Sequence, residues 1–121
     1  MKELELSAHP FEDHSNTLLV SPKGIIRGVT SESFRTQINE LLKQTEATSI
    51  VIDFSKVGSI DSSTAGFLLN IHDRLDTRGG RLALASLTPE VQVVIDSIGL
   101  TSFFAVYPSL EDAVEELGSA D

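Results

Sequence analysis

The sequence contains no cysteine, which excludes a disulfide framework, a thiolate nucleophile and a cysteine zinc site. It also lacks tryptophan, and aromatic residues make up only 6% of the chain, too few for a platform on which bases or sugars would stack. Positive charge is scarce, with nine Lys and Arg against eighteen Asp and Glu, a formal charge of −9. Nucleic acids and anionic lipids are held by Lys/Arg-rich surfaces, so direct binding to either is not expected. No stretch approaches the roughly 18 apolar residues of a membrane-spanning helix. Met1-Lys2-Glu3-Leu4-Glu5-Leu6 alternates charge and leucine and has no apolar core of a signal peptide. The expectation is an acidic cytoplasmic protein with no membrane contact.

What is present suffices for one core: 121 residues, of which 40% are hydrophobic, predict a single domain over 1–121, with 118–121 as a frayed tail. Residues 3–6 alternate as a half-buried edge strand does, and His9 to Asn16 reads as a loop. Thr17–Val20 and Ile25-Ile26 are short apolar runs separated by Ser21-Pro22-Lys23-Gly24, the pattern of a hairpin or meander. The period then changes. Phe34, Ile38, Leu41 and Leu42 share one helical face, with Thr30 or Ser31 placed to cap it. Ser49–Ile52 is a buried strand ending at Asp53, and a loop from Phe54 to Ser59 leads to Ile60-Asp61-Ser62.

Ala65, Leu68, Ile71 and Leu75 mark a second helix, closed by Arg78-Gly79-Gly80. A strand at Arg81–Ala85 follows. A third helix opens at Thr88-Pro89, with Val91, Val94, Ile95 and Ile98 as its face. A last strand covers Phe103–Tyr107. Ser109 and Asp112 form a capping box ahead of Leu110, Ala113, Val114 and Leu117. Helix and strand alternate from residue 30 onward, which predicts an α/β domain whose sheet is mostly parallel and carries about four helices.

Few residues carry chemistry of their own. His9, His14 and His72 have no partners at metal-ligand spacing, and His72 reads as a partly exposed residue in the middle of a helix. Ser62 and His72 stand ten residues apart on one helix, about 15 Å of rise, so they cannot form a catalytic pair. Gly79-Gly80 precedes a strand rather than a helix, unlike a phosphate-binding loop. Glu111-Asp112 and Glu115-Glu116 read as a solvated helix face. No catalytic constellation is complete, so no enzymatic activity, cofactor or metal is expected.

One locus stands out. Within Ser59–Gly66, the run Ser62-Ser63-Thr64 follows Asp61 and precedes Ala65-Gly66 where a loop enters a helix. Capping by a hydroxyl would account for one of the three. The functional alternative is a phosphoacceptor. A phosphoryl group there would meet free amides and the positive end of the helix dipole while adding about −1.5 to −2 charges. Such a change alters docking more than folding.

These residues resemble a known family. Asp61-Ser62-Ser63 with Gly66 and the apolar helix behind it is similar to the phosphorylation motif of STAS domains, which include the bacterial anti-sigma factor antagonists. Gly24-Ile25-Ile26 followed by Thr30, the strand Ile50–Ser55, the turn Gly79-Gly80 before Arg81-Leu82, and Ile98-Gly99-Leu100 extend the likeness over nearly the whole chain. The resemblance implies a STAS-like mixed sheet and a partner-switching cycle. The unphosphorylated form binds an anti-sigma factor that is also a serine kinase of the histidine-kinase-like ATPase type. Phosphorylation releases it, and a serine phosphatase restores the binding form.

Carried over, Ser62 is the acceptor. Asp61, Ser63, Thr64 and Gly66 line the partner-facing helix start, and Gly24, Ile25, Arg27, Gly28 and Thr30 form the neighbouring loop. The chain departs from the family at Thr64, where glycine is common, and at Ile25 and Arg27, where an acidic residue is common. The alternative is a non-switching STAS interaction module, a scaffold or transporter-associated component in which Ser62 only caps.

Overall fold

A computed structural model of the chain describes residues 3–11 and 14–120. Strands β1 (Glu5–Phe11) and β2 (His14–Ile26) pair antiparallel, Ala8 opposite Val20. The loop expected over His9 to Asn16 is thus largely strand, and residues 12–13 between the two strands lie outside the described residues. Its polar composition misled because β1 is an edge: His9 and Pro10 face solvent while Phe11 is buried.

The two short runs expected within 17–26 are one strand. β2 pairs in parallel with β3 (Ser49–Asp53) along Thr17–Val20, and then with β4 (Val57–Ile60) from Gly24 to Ile26. Pro22 falls between the two pairings. The Gly24 amide donates to the Lys56 carbonyl, and the two-residue period of a strand turns Pro22 to that same side. Its missing N–H therefore faces a gap in the ladder and costs nothing there. β4 occupies what was expected to be loop. It has four residues with Gly58 and Ser59 inside it, too short and polar to announce itself.

The remaining elements are α1 (Val29–Gln44), α2 (Ser62–Thr77), β5 (Leu82–Ala85), α3 (Pro89–Ser97), β6 (Ala105–Tyr107) and α4 (Leu110–Ala120). The strand order is β1-β2-β3-β5-β6, with β4 on β2, and every pair except β1–β2 is parallel. This is the mixed, mostly parallel sheet with four helices that the alternation predicted. Side chains alternate across the sheet. Val20, Ile50, Ile52, Leu82 and Leu84 pack with Phe34, Ile38, Leu68, Ile71 and Val91 of α1, α2 and α3. Leu19, Val51, Ala83 and Ala85 pack on the other face with Ala113 of α4.

Caps fix the helix ends. The Ser109 hydroxyl accepts from the Asp112 amide at 3.1 Å and donates to its carboxylate at 3.0 Å. The side chain of Leu117, expected on the buried face of α4, lies outside those described, as does Asp121 of the expected tail; α4 takes in residues 118–120. Gly79 has φ +78° after α2. A Cβ on Gly80 would stand 1.8 Å from the Thr48 carbonyl oxygen, so the chain passes there only as glycine. The Arg78 guanidinium donates to the carbonyls of Leu42 and Ala47 at 2.6 and 2.8 Å, satisfying groups left free where α1 ends.

Two capping expectations are corrected. α1 starts after Gly28, at φ +59°, not after Thr30 or Ser31. Those hydroxyls are engaged elsewhere: Thr30 closes the preceding turn and Ser31 is buried against α2. Thr88 precedes Pro89 as expected, yet its hydroxyl donates to the Val57 carbonyl and leaves the amides of α3 alone.

Candidate functional site

β4 delivers the chain to the start of α2. Ile60 pairs with Ile26, and the Asp61 amide donates to the Ile26 carbonyl at 3.1 Å. Asp61 is extended and is the N-cap of α2. Its Oδ1 accepts from the Thr64 amide at 2.8 Å and from the Thr64 hydroxyl at 2.7 Å. Its Oδ2 accepts from the Gly28 amide at 3.1 Å. One carboxylate therefore fastens the starts of both α1 and α2. The capping role assigned to the hydroxyl run belongs to the aspartate before it. Partial burial pushes the Asp61 carboxyl up, but hydrogen bonds from the Thr64 hydroxyl and amide and from the Gly28 amide outweigh this and hold it below the ordinary carboxylate value.

The three hydroxyls meet different fates. Thr64 is fully buried, and its oxygen lies 2.8 Å from that of Ser31. It cannot line a partner-facing surface, as the resemblance implied, because its side chain turns inward to hold Asp61. Ser63 is exposed, and its Oγ accepts from Arg35 Nη1 at 2.9 Å. Ser62 is exposed and its hydroxyl has no hydrogen-bond partner among the described residues. Gly66 is exposed four residues on, and a Cβ built there meets nothing within 4 Å. Ser62 and Gly66 share one helix face at i, i+4 spacing.

The β2–α1 turn lies alongside, tied to α2 through Gly28. Gly24 has φ +109° and Gly28 φ +59°, both in the region that favours glycine. Thr30 Oγ1 accepts from the Arg27 amide at 2.9 Å and donates to the Ile25 carbonyl at 2.7 Å. Arg27 reaches across to the Ser59 hydroxyl at 3.2 Å. Ile25 and Val29 expose 55% and 53% of their surface, an apolar pair beside the helix start.

Val29 and Arg35 were not singled out from sequence, and Ser31 was assigned only a capping role. Arg35 donates to Ser31 at 2.8 Å as well as to Ser63. The i, i+4 spacing of Ser31 and Arg35 was the one local signal. His72 is half-buried, edge-on to Phe103 and Phe104 with ring centroids 6.4 and 6.2 Å away. Among the described residues, no three His, Asp or Glu converge as a metal would require, and no helix is long and apolar enough to cross a membrane.

The STAS domain family model matches residues 10–113. The anti-sigma F factor antagonist of Paenibacillus polymyxa is 27% identical over 106 residues, 88% of this chain and 91% of that protein. The crystal structure of an anti-sigma factor antagonist from Mycobacterium paratuberculosis matches with a TM-score of 0.76 at 26% identity, over 93% of each chain. The anti-sigma factor antagonist SpoIIAA in its unphosphorylated form also gives a TM-score of 0.76, at 22% identity over 93% of this chain and 97% of that one. Its phosphorylated form, from Bacillus, gives 0.67 at 21% identity over 92% and 99%. The two SpoIIAA likenesses speak for the fold.

Proposed function

The chain belongs to the STAS domain family, and we propose that it acts as a cytoplasmic anti-sigma factor antagonist switched by phosphorylation of Ser62. The observation that carries this reading is the division among three adjacent hydroxyls. Thr64 is buried, Ser63 is bonded to Arg35, and Ser62 alone is both exposed and uncommitted. A kinase reaching Ser62 Oγ dismantles nothing that holds the helix start. The relatives support the role, since the Paenibacillus polymyxa protein is an anti-sigma F factor antagonist and SpoIIAA has been solved both with and without its phosphoryl group.

The partner face consists of Ser62, Gly66 and the turn carrying Ile25, Arg27 and Val29. In the unmodified form it captures an anti-sigma factor that is also a serine kinase of the histidine-kinase-like ATPase type, which frees the sigma factor. A phosphoryl group places about −1.5 to −2 charges in the middle of that face. Burying them against the partner is costly unless cations pair with them, and capture ends. A serine phosphatase reverses the step. The chain undergoes this chemistry and catalyses none of it.

The test uses the partner kinase with ATP and maps the phosphate by mass spectrometry. Ser62 gains phosphate, Ser62→Ala still captures the kinase, and Ser62→Asp captures it weakly. Equal capture by both variants would leave a non-switching interaction module in place of a switch.

A further inference from the structure

Arg35 holds a cation beside Ser63 without a counter-charge. Its Nη1 gives hydrogens to Ser31 and Ser63, at 2.8 and 2.9 Å. No carboxylate lies within ion-pair distance of it among the described residues, in a chain with eighteen acidic residues. A guanidinium has five N–H donors, so Nε and Nη2 remain uncommitted. This planar fork matches phosphate oxygens two at a time. The side chain is half-buried and anchored on α1, so it is already held in place.

We propose that Ser63 is a second phosphorylation site, whose phosphoryl group is held within the molecule by Arg35. In the step, Ser63 Oγ bonds to the γ-phosphorus of ATP as the bond from that phosphorus to the β–γ bridging oxygen breaks. ADP leaves with the electron pair, and the hydroxyl proton passes to a base on a protein serine kinase. Successive helix residues point about 100° apart. A phosphoryl group on Ser63 therefore faces Arg35 and α1, while one on Ser62 does not. The two modifications differ in their effect: charge on Ser62 is presented to a partner, and charge on Ser63 is paired with the Arg35 guanidinium and draws α2 onto α1. The inference does not depend on Ser62 being an acceptor.

The test places phosphoserine at position 62 or 63 of the full chain during translation and follows each by phosphorus NMR across pH. An exposed phosphoserine has its second pKa near about 6. At position 63 it titrates about one unit lower than at position 62, because a neighbouring cation favours the dianion. Arg35→Gln removes the difference, and Arg35→Lys, which keeps charge without the fork, restores part of it. Equal titration at the two positions, or a shift that survives Arg35→Gln, overturns the assignment of Arg35. A second arm incubates Ser62→Ala protein with ATP and lysate of its own cells. Phosphate mapped to Ser63 supports the site, and unmodified Ser63 overturns it, however Ser62 itself behaves.

Discussion

Ser31 donates its hydroxyl hydrogen to the oxygen of Thr64, 2.8 Å away and thirty-three residues along the chain. The direction follows from counting hydrogens. Thr64 has one, and gives it to Asp61 Oδ1 at 2.7 Å, so towards Ser31 it can only accept. Ser31 in turn accepts from Arg35 at 2.8 Å. A relay thus runs from a cation on α1 to an anion capping α2, through two buried hydroxyls. Each bond polarises the next, and burial strengthens the central one, between Ser31 and Thr64.

Thr64→Val tests the relay at its centre with little change of volume. It removes the donor to Asp61 and leaves the buried Ser31 hydroxyl facing a methyl group. The expected cost is about 1–3 kcal/mol, the penalty for an unsatisfied buried polar group. Ser62→Ala, two residues away and exposed, should stay within about 0.5 kcal/mol. Urea unfolding of both variants gives the comparison; equal midpoints would mean that the relay contributes nothing to stability.

Asp61 makes the domain sensitive to acid. Its carboxyl lies below the ordinary value of 3.8 in the folded chain, so in the interval between the two values the unfolded chain binds more protons. The contribution is fully present above the ordinary value and is lost as pH falls through the folded one. Asp61→Asn keeps a capping side chain but cannot ionise, and should flatten the stability profile below the ordinary carboxylate value. Asp61→Ala loses the cap as well, about 1 kcal/mol at neutral pH. Urea midpoints measured from neutral pH downward check both; a wild-type slope retained by Asp61→Asn would assign the acid sensitivity to other carboxylates.

The same residues show what a sequence can disclose. The helices were readable because Phe34, Ile38 and Leu42, and then Ala65, Leu68, Ile71 and Leu75, recur at helical spacing and are all buried. β4 was not, because Val57–Ile60 is a strand only through its pairing with β2, some thirty residues earlier. The hydroxyl run at 62–64 pointed to the start of α2. It did not disclose that Thr64 turns inward, since that depends on Ser31 arriving from another helix. Arg35 was missed for the same reason: its bond to Ser63 spans twenty-eight residues, and its i, i+4 spacing to Ser31 says nothing of α2.

Ile25 and Val29 provide a test of the proposed docking face that leaves the proposed phosphoacceptor, Ser62, untouched. Both are more than half exposed, so a charge at either position should not disturb the core. Ile25→Asp or Val29→Asp should weaken capture of the kinase at least tenfold, about 1.4 kcal/mol. Phe103 is equally exposed but packs on His72, ten residues along α2 from Ser62, about 15 Å away by helical rise. Phe103→Ser should leave capture unchanged. Calorimetric titration of the three variants decides the matter, and a loss confined to Phe103→Ser would move the docking face to the far end of α2.

Gly66 separates stability from function most cleanly. It lies inside α2, its φ is not in the left-handed region, and a Cβ there meets nothing within 4 Å. Nothing in the fold requires glycine. Alanine at such a position is favoured over glycine by about 0.5–1 kcal/mol, through backbone entropy alone. Glycine does leave the helix surface bare one turn from Ser62, where the proposed kinase would bring its own backbone close to reach the hydroxyl. Gly66→Ala should therefore raise the unfolding midpoint while slowing phosphorylation of Ser62, and Gly66→Leu should block capture with the fold intact. Opposite signs in one substitution cannot come from damage to the structure. Phosphorylation of Gly66→Leu at the wild-type rate would instead mean that the partner approaches Ser62 from another side.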